Sequence, residues 1–159
     1  MSIMRDKTAF IKKYGGVYEH SPWIAEAAFD ANAKTPAQIK EAMKAAVEAA
    51  PHDKQLALIR AHPDLAVAQG LTAASTSEQA GAGLNQCTPQ ELAEFQKLNA
   101  EYKEKFGFPF IVAVRGLQRA EILEQFRQRI NNNTETEFST ALVQIHKIAG
   151  FRLSAIYSS

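Results

Sequence analysis

Polar side chains in apolar company are where the chemistry of this chain has to be sought. The first is His62, in the run His62-Pro63-Asp64 that follows the helical stretch LALIRA over 56–61. A cation at a helix end meets favourable carbonyl dipoles, so protonation of His62 is assisted there, and imidazole titrates near neutral pH. Proton handling is the chemistry such a residue offers. The plainer reading is a histidine that closes one helix while Asp64 caps the next, and spacing alone leans that way.

The second feature is the run Ser75-Thr76-Ser77-Glu78-Gln79-Ala80-Gly81-Ala82-Gly83. Ser and Thr cap helices, which places Glu78 and Gln79 in a first turn whose free N–H groups attract anions. The small residues that follow allow a ligand or a second helix to approach closely. An ordinary helix start, with Glu78 favoured by the helix dipole, explains the same residues. The third feature is Glu19-His20-Ser21-Pro22-Trp23. Trp23 reads as a packing anchor, and Glu19-His20 is a weak metal-ligand signal because no His-Glu-x-x-His or similar motif accompanies it. His52 and His146 read as surface residues, and Cys87 as a small hydrophobe. Phosphate-binding glycine motifs and the Gly-x-Ser-x-Gly esterase turn are absent from the sequence.

The elements that must position these groups are helices. Alanine occurs 27 times and β-branched residues are sparse in most segments. Thr35-Pro36 with Gln38, Thr88-Pro89 with Glu91, and Thr134 with Glu137 have capping-box spacing, and Ser21-Pro22 marks a fourth start. Stops fall at Gly15-Gly16 and Gly107. Leu92, Phe95, Asn99, Tyr102 and Phe106 share one face of a helix over 89–106, and Phe138, Leu142, Ile145, Ala149, Leu153 and Ile156 do so in the last helix. Shorter helices are predicted over 6–14, 22–30, 52–61, 75–83 and 118–131. Only 108–114, FPFIVAV, reads as extended, because Pro109 disfavours helix at Phe108 and the run is apolar and partly β-branched. The expected fold is all-α: one domain over residues 1–159, a bundle of about eight helices with one short extended apolar segment over 108–114.

Composition bounds the partners. Eighteen basic residues against 17 acidic ones give a formal charge of +1, which leaves no electrostatic footprint for nucleic acid or an anionic membrane. At 46% hydrophobic and 22% charged residues the chain is globular rather than disordered. One cysteine excludes an internal disulfide and a thiolate zinc site. No apolar run approaches the roughly 20 residues that span a bilayer, the amino terminus lacks the apolar core of a secretory signal, and the ending IYSS is not Ser-Lys-Leu. A soluble, cytoplasmic domain is expected.

In combination, these segments resemble the OHCU (2-oxo-4-hydroxy-4-carboxy-5-ureidoimidazoline) decarboxylase family. The resemblance rests on Glu19–Trp23, on Ala61-His62-Pro63-Asp64-Leu65-Ala66, and on Ser77-Glu78-Gln79 with Ala82-Gly83-Leu84. It continues through Leu98-Asn99-x-x-Tyr102-x-x-Lys105-Phe106-Gly107-Phe108-Pro109-Phe110 and the closing Glu137-x-x-x-Ala141-Leu142 to Arg152-Leu153. These pieces run in order from about residue 10 to residue 156. The resemblance implies a cofactor-free, metal-free lyase of urate degradation that forms (S)-allantoin and carbon dioxide, and it suggests a homodimer. It puts the essential histidine on His62 and the acidic partner on Glu78. Substrate contacts fall on Pro63, on Ser75, Thr76, Ser77 and Gln79, and on Phe110, Ile111, Val112, Ala113 and Val114. Arg115 stays outside that set. Two rivals compete with it: a metal-dependent hydrolase built on His20, His62, Asp64 and Glu78, and a non-catalytic helical interaction module.

Overall fold

The computed structural model describes residues 6–66 and 71–158, so part of the amino-terminal stretch read for a leader lies outside the described residues. Eight α-helices carry the described chain: α1 (Lys7–Tyr14), α2 (Pro22–Asp30), α3 (Pro36–Ala49), α4 (His52–Arg60), α5 (Ala73–Gly81), α6 (Pro89–Phe106), α7 (Arg119–Arg129) and α8 (Thr134–Ser158). A single 3-10 turn, Leu84–Gln86, follows α5, and the described residues form no strand. The all-α expectation therefore holds.

Local chemistry explains most of the boundaries. Thr35 and Thr88 both make complete capping boxes with Gln38 and Glu91, each with proline opening the helix. Gly107 ends α6 in the left-handed region at φ 80°, where a side chain would be strained. Three expected starts need correction. α5 begins two residues earlier than predicted, because the Thr72 side chain accepts the Ser75 N–H at 3.1 Å. Ser75, Thr76 and Ser77 consequently lie inside the helix, and Glu78 and Gln79 fall in its second turn. At α8 the cap is Asn133, whose Oδ1 accepts the Thr136 N–H at 2.8 Å, and Glu137 turns inward instead of closing a box with Thr134. Ser21 does precede α2, yet its hydroxyl donates to the Glu19 carbonyl at 2.9 Å rather than capping.

The fold divides into two compact units, one formed by residues up to Ala61 with those from His146 onward, the other by His62–Ile145. In the first, α2 packs against α1 and α3, and Ile24, Ala28, Ile39, Met43 and Val47 are buried in its core. Glu19, buried, pairs with buried Arg152 at 2.8 Å, and Arg152 also donates to the Gly16 carbonyl. His146, expected at the surface, is half-buried, and its Nδ1 lies 2.8 Å from the Tyr18 hydroxyl. Burial lowers its pKa below the usual histidine value. Trp23 is half-buried in this unit, with the Lys54 ammonium 5.0 Å from its ring centroid.

The second unit holds an aromatic core. Tyr102 meets Phe106, Phe108, Phe110 and Phe126, and Phe110 stacks on Phe126 at 3.9 Å between centroids. Of the predicted α6 stripe, Phe95, Asn99, Tyr102 and Phe106 are buried while Leu92 stays exposed. Glu137, fully buried, is the ionic hub: it accepts from the Tyr102 hydroxyl, from Arg129 Nε at 2.9 Å and from Asn132 Nδ2 at 2.9 Å. Such a carboxylate is tolerable inside only because every approach to it is a donor.

Candidate active site

All the residues singled out for catalysis and substrate contact lie in the second unit. His62 is buried, immediately after Ala61, the cap residue of α4. The turn behind it, Pro63 to Ala66, is fixed by side chains from two helices. Gln79 of α5 accepts the Ala66 N–H on Oε1 at 3.0 Å and donates from Nε2 to the Asp64 carbonyl at 3.2 Å. Asn99 of α6 donates to the Leu65 carbonyl at 3.0 Å, and Lys103, one turn on, pairs with the Asp64 carboxylate at 2.7 Å. These contacts hold Ala66 at φ 59°, a left-handed conformation that costs a non-glycine residue about 1–2 kcal/mol.

Ser75, Glu78 and Gln79, spaced i, i+3 and i+4, share one face of α5. Ser75 and Gln79 are buried and Glu78 is half-buried. Thr76 and Ser77 are exposed, and the Thr76 hydroxyl donates back to the Thr72 carbonyl at 2.9 Å. The structure thus brings Gln79 onto the His62 turn, with its amide engaged by the protein backbone.

The segment Phe110–Val114 is buried throughout and belongs to neither helix nor strand. Side chains supply part of what a strand partner would. Arg129 donates from Nη1 to the Ile111 carbonyl at 2.6 Å, and its guanidinium lies 4.4 Å from the Phe110 ring centroid. Gln144 accepts the Ala113 N–H at 2.9 Å, and the Leu117 N–H bonds the Val114 carbonyl at 2.9 Å. The Val112 peptide groups are not among those engaged in these contacts. Arg115, beyond the segment, is exposed.

The hydrolase rival fares worse. Asp64 is committed to Lys103, and the described residues contain no group of three or more His, Cys, Asp or Glu able to hold a metal ion. Cys87 donates to the Leu84 carbonyl at 3.4 Å, and burial raises its pKa, as befits an inert thiol. Sequence reasoning missed Lys103, Arg129 and Gln144 as supports of the site. For this turn the available signal was Asn99, a buried amide in an otherwise apolar helical stripe.

The chain resembles known proteins over nearly its whole length. A family model described as OHCU decarboxylase matches residues 4–154. A 2-oxo-4-hydroxy-4-carboxy-5-ureidoimidazoline decarboxylase of Haloferax volcanii is 42% identical over 97% of this chain and 92% of its own length. A protein of the same name from Halalkalicoccus jeotgali is 40% identical over 95% of this chain and 86% of its own. The uric acid degradation bifunctional protein of a Bacillus species is 44% identical over 93% of this chain, which spans 30% of that longer protein. Among solved structures, an (S)-allantoin synthase superposes with TM-score 0.77 at 36% identity, over 96% of this chain and 51% of that one. An OHCU decarboxylase structure determined in the presence of (S)-allantoin gives the same TM-score, 0.77, at 22% identity, over 98% of this chain and 100% of that one, a likeness of fold. No helix among the described residues is long and apolar enough to cross a membrane. With its family model matched from residue 4 to residue 154, the chain belongs to the OHCU decarboxylase family.

Proposed function

We propose that this chain is a carboxy-lyase that converts 2-oxo-4-hydroxy-4-carboxy-5-ureidoimidazoline to (S)-allantoin and carbon dioxide in urate degradation. The observation that carries this reading is the near-complete match to decarboxylases of that name, at 42% identity for the Haloferax volcanii protein.

The substrate's own bonds supply the electron sink. When the bond to the carboxylate breaks, its electron pair moves between the two ring carbons and displaces the imine pair onto nitrogen, which takes a proton. The ureido-bearing carbon is then protonated on one face, while the neighbouring hydroxyl gives up its proton and becomes a carbonyl. No added cofactor is needed for that flow. The enzyme's part is orientation, proton transfer and support for developing charge.

In this proposal His62 moves the proton of the hydroxyl beside the departing carboxylate. Its burial withholds competing water and keeps it close to the turn built by Gln79 and Asn99. Glu78, half-buried on the same face of α5 as Ser75 and Gln79, accepts the ureido and ring N–H groups and is the candidate donor of the stereospecific proton. Pro63, Ser75, Thr76, Ser77 and Gln79 complete one wall, and Phe110, Ile111, Val112, Ala113 and Val114 the other. Within that second wall, the Val112 peptide groups are proposed to read the flat ring. A cytoplasmic location and a homodimer, with Phe151 and Ile156 of α8 in the dimer face, belong to the same proposal.

The test uses freshly generated substrate and follows the optical activity of the allantoin formed. Wild-type protein should accelerate its appearance, and His62→Ala should fold normally and lose about 10²–10⁴-fold in rate. A wild-type protein without effect on this substrate overturns the function, and an active His62→Ala overturns the mechanism.

A further inference from the structure

We propose that Asn99 is a positioning residue for His62, acting through the backbone of the turn between them; this rests on the decarboxylase reading above. Asn99 is buried on α6 in a stripe that it shares with Leu92, Phe95, Tyr102 and Phe106. Burying an amide there, rather than another hydrophobe, requires a compensating bond. It has one: Nδ2 donates to the Leu65 carbonyl at 3.0 Å, while Oδ1 is buried and without a hydrogen-bond partner among the described residues. Among the described residues, then, only the donor half of this amide is engaged, and it holds a single carbonyl three residues after His62. A leucine would spare the unpaired Oδ1 but leave the buried Leu65 carbonyl without this donor, so the amide stands here for that carbonyl and not to fill space.

The geometry gives the bond a purpose. Pro63 has a fixed φ, Gln79 pins the Asp64 carbonyl and the Ala66 amide, and Ala66 sits in the left-handed region. The Leu65 carbonyl belongs to the same peptide unit as the Ala66 N–H, so Asn99 grips from α6 the unit that Gln79 grips from α5. Lys103 adds an ion pair to Asp64, but it is half-exposed and screened, which leaves the buried amide as the stiffer tie from α6. A turn held on three successive residues has little freedom to tilt the imidazole at its start. Since a misplacement of about 1 Å can cost about 10²-fold in rate, holding that turn contributes to catalysis without any contact with substrate.

The test compares wild type, Asn99→Leu and Asn99→Asp, each also in a His62→Asn background. Two measurements are taken on every protein: steady-state kinetics with fresh substrate, and NMR titration of the His62 ring, assigned by its loss in His62→Asn. We expect Asn99→Leu to melt within a few degrees of wild type, to lose at least tenfold in kcat with KM within about twofold, and to shift the His62 titration midpoint. Asn99→Asp, which lacks the donor, should repeat the kinetic loss, so the outcome stands if either variant folds. In the His62→Asn background neither substitution should lower the residual rate further. An unchanged kcat and an unchanged His62 titration in the folded variants overturn the proposal. So does a rise in KM at constant kcat, which would make Asn99 a substrate contact. A wild-type protein inactive on this substrate would overturn the function instead, while the NMR comparison would still decide whether Asn99 governs His62.

Discussion

The side chain of Gln79 closes on the backbone of Ala66, its Oε1 accepting the Ala66 N–H at 3.0 Å while its Nε2 donates to the Asp64 carbonyl at 3.2 Å. Two neutral hydrogen bonds of about 0.5–1.5 kcal/mol each tie α5 to the turn behind His62. Gln79→Leu should therefore lose about 1–3 kcal/mol of stability and most of the activity. Gln79→Glu keeps an acceptor for Ala66 but meets the Asp64 carbonyl with oxygen, and it should be no better in kcat. Urea unfolding and kinetics on both variants check this. A Gln79→Leu protein with wild-type kcat would mean that the turn holds its shape unaided.

The ionic hub predicts a strongly asymmetric mutational response. Glu137→Ala strands Arg129 as a poorly compensated, mostly buried charge, a change that typically costs about 3–5 kcal/mol. In a chain of this size that corresponds to a fall in Tm of about 10 °C or more. The double variant Arg129→Met, Glu137→Leu should recover much of the loss, because both charges leave together. It should still raise KM, since the Ile111 carbonyl loses its Nη1 donor. Thermal melts and KM values for the three proteins give the answer.

His146 makes stability depend on pH. Desolvation lowers its folded-state pKa, so the unfolded chain binds the proton more readily. The contribution of this residue is complete above the ordinary histidine pKa of about 6.5 and is lost as pH falls through that value toward the folded one. Stability measured by urea unfolding should rise between pH 5.5 and 7.5. His146→Gln should flatten that portion of the curve, and an unaltered slope would show that another group is responsible.

Two neighbouring residues at the start of α8 should behave differently. Asn133 caps the helix through Oδ1, so Asn133→Ala should cost about 1 kcal/mol. Thr134 is the first helical residue, and Thr134→Ala should stay within about 0.5 kcal/mol of wild type. Equilibrium unfolding of the pair resolves the assignment.

Most helix boundaries were readable because they are written in local chemistry: Thr35 and Thr88 bond to residues three positions away, and proline follows each directly. Local chemistry failed where tertiary partners outbid it. Glu137 stands three residues after Thr134, as a capping box demands, yet Arg129, Tyr102 and Asn132 draw it inside. His146 looks like a surface residue between polar neighbours until Tyr18, 128 positions away, meets it. The site shows the same divide. His62 and Glu78 stand out by type, and family resemblance supplied their roles. The struts that hold the turn, Asn99 and Lys103 from α6, lie 34 and 39 positions from the Leu65 carbonyl and the Asp64 carboxylate they grip, beyond the reach of any periodicity.

The hub on Glu137 also governs how this sequence is free to diverge. Tyr102, Arg129 and Glu137 come from three different helices, yet the two charges are tolerable inside only together, and the Tyr102 hydroxyl takes its acceptor from the same carboxylate. A lineage that loses one of them by a single substitution must carry an unpaired polar group through every intermediate generation. The three positions should thus be inherited as a block or exchanged as one, while exposed pairs such as Lys7 with Asp30 drift independently.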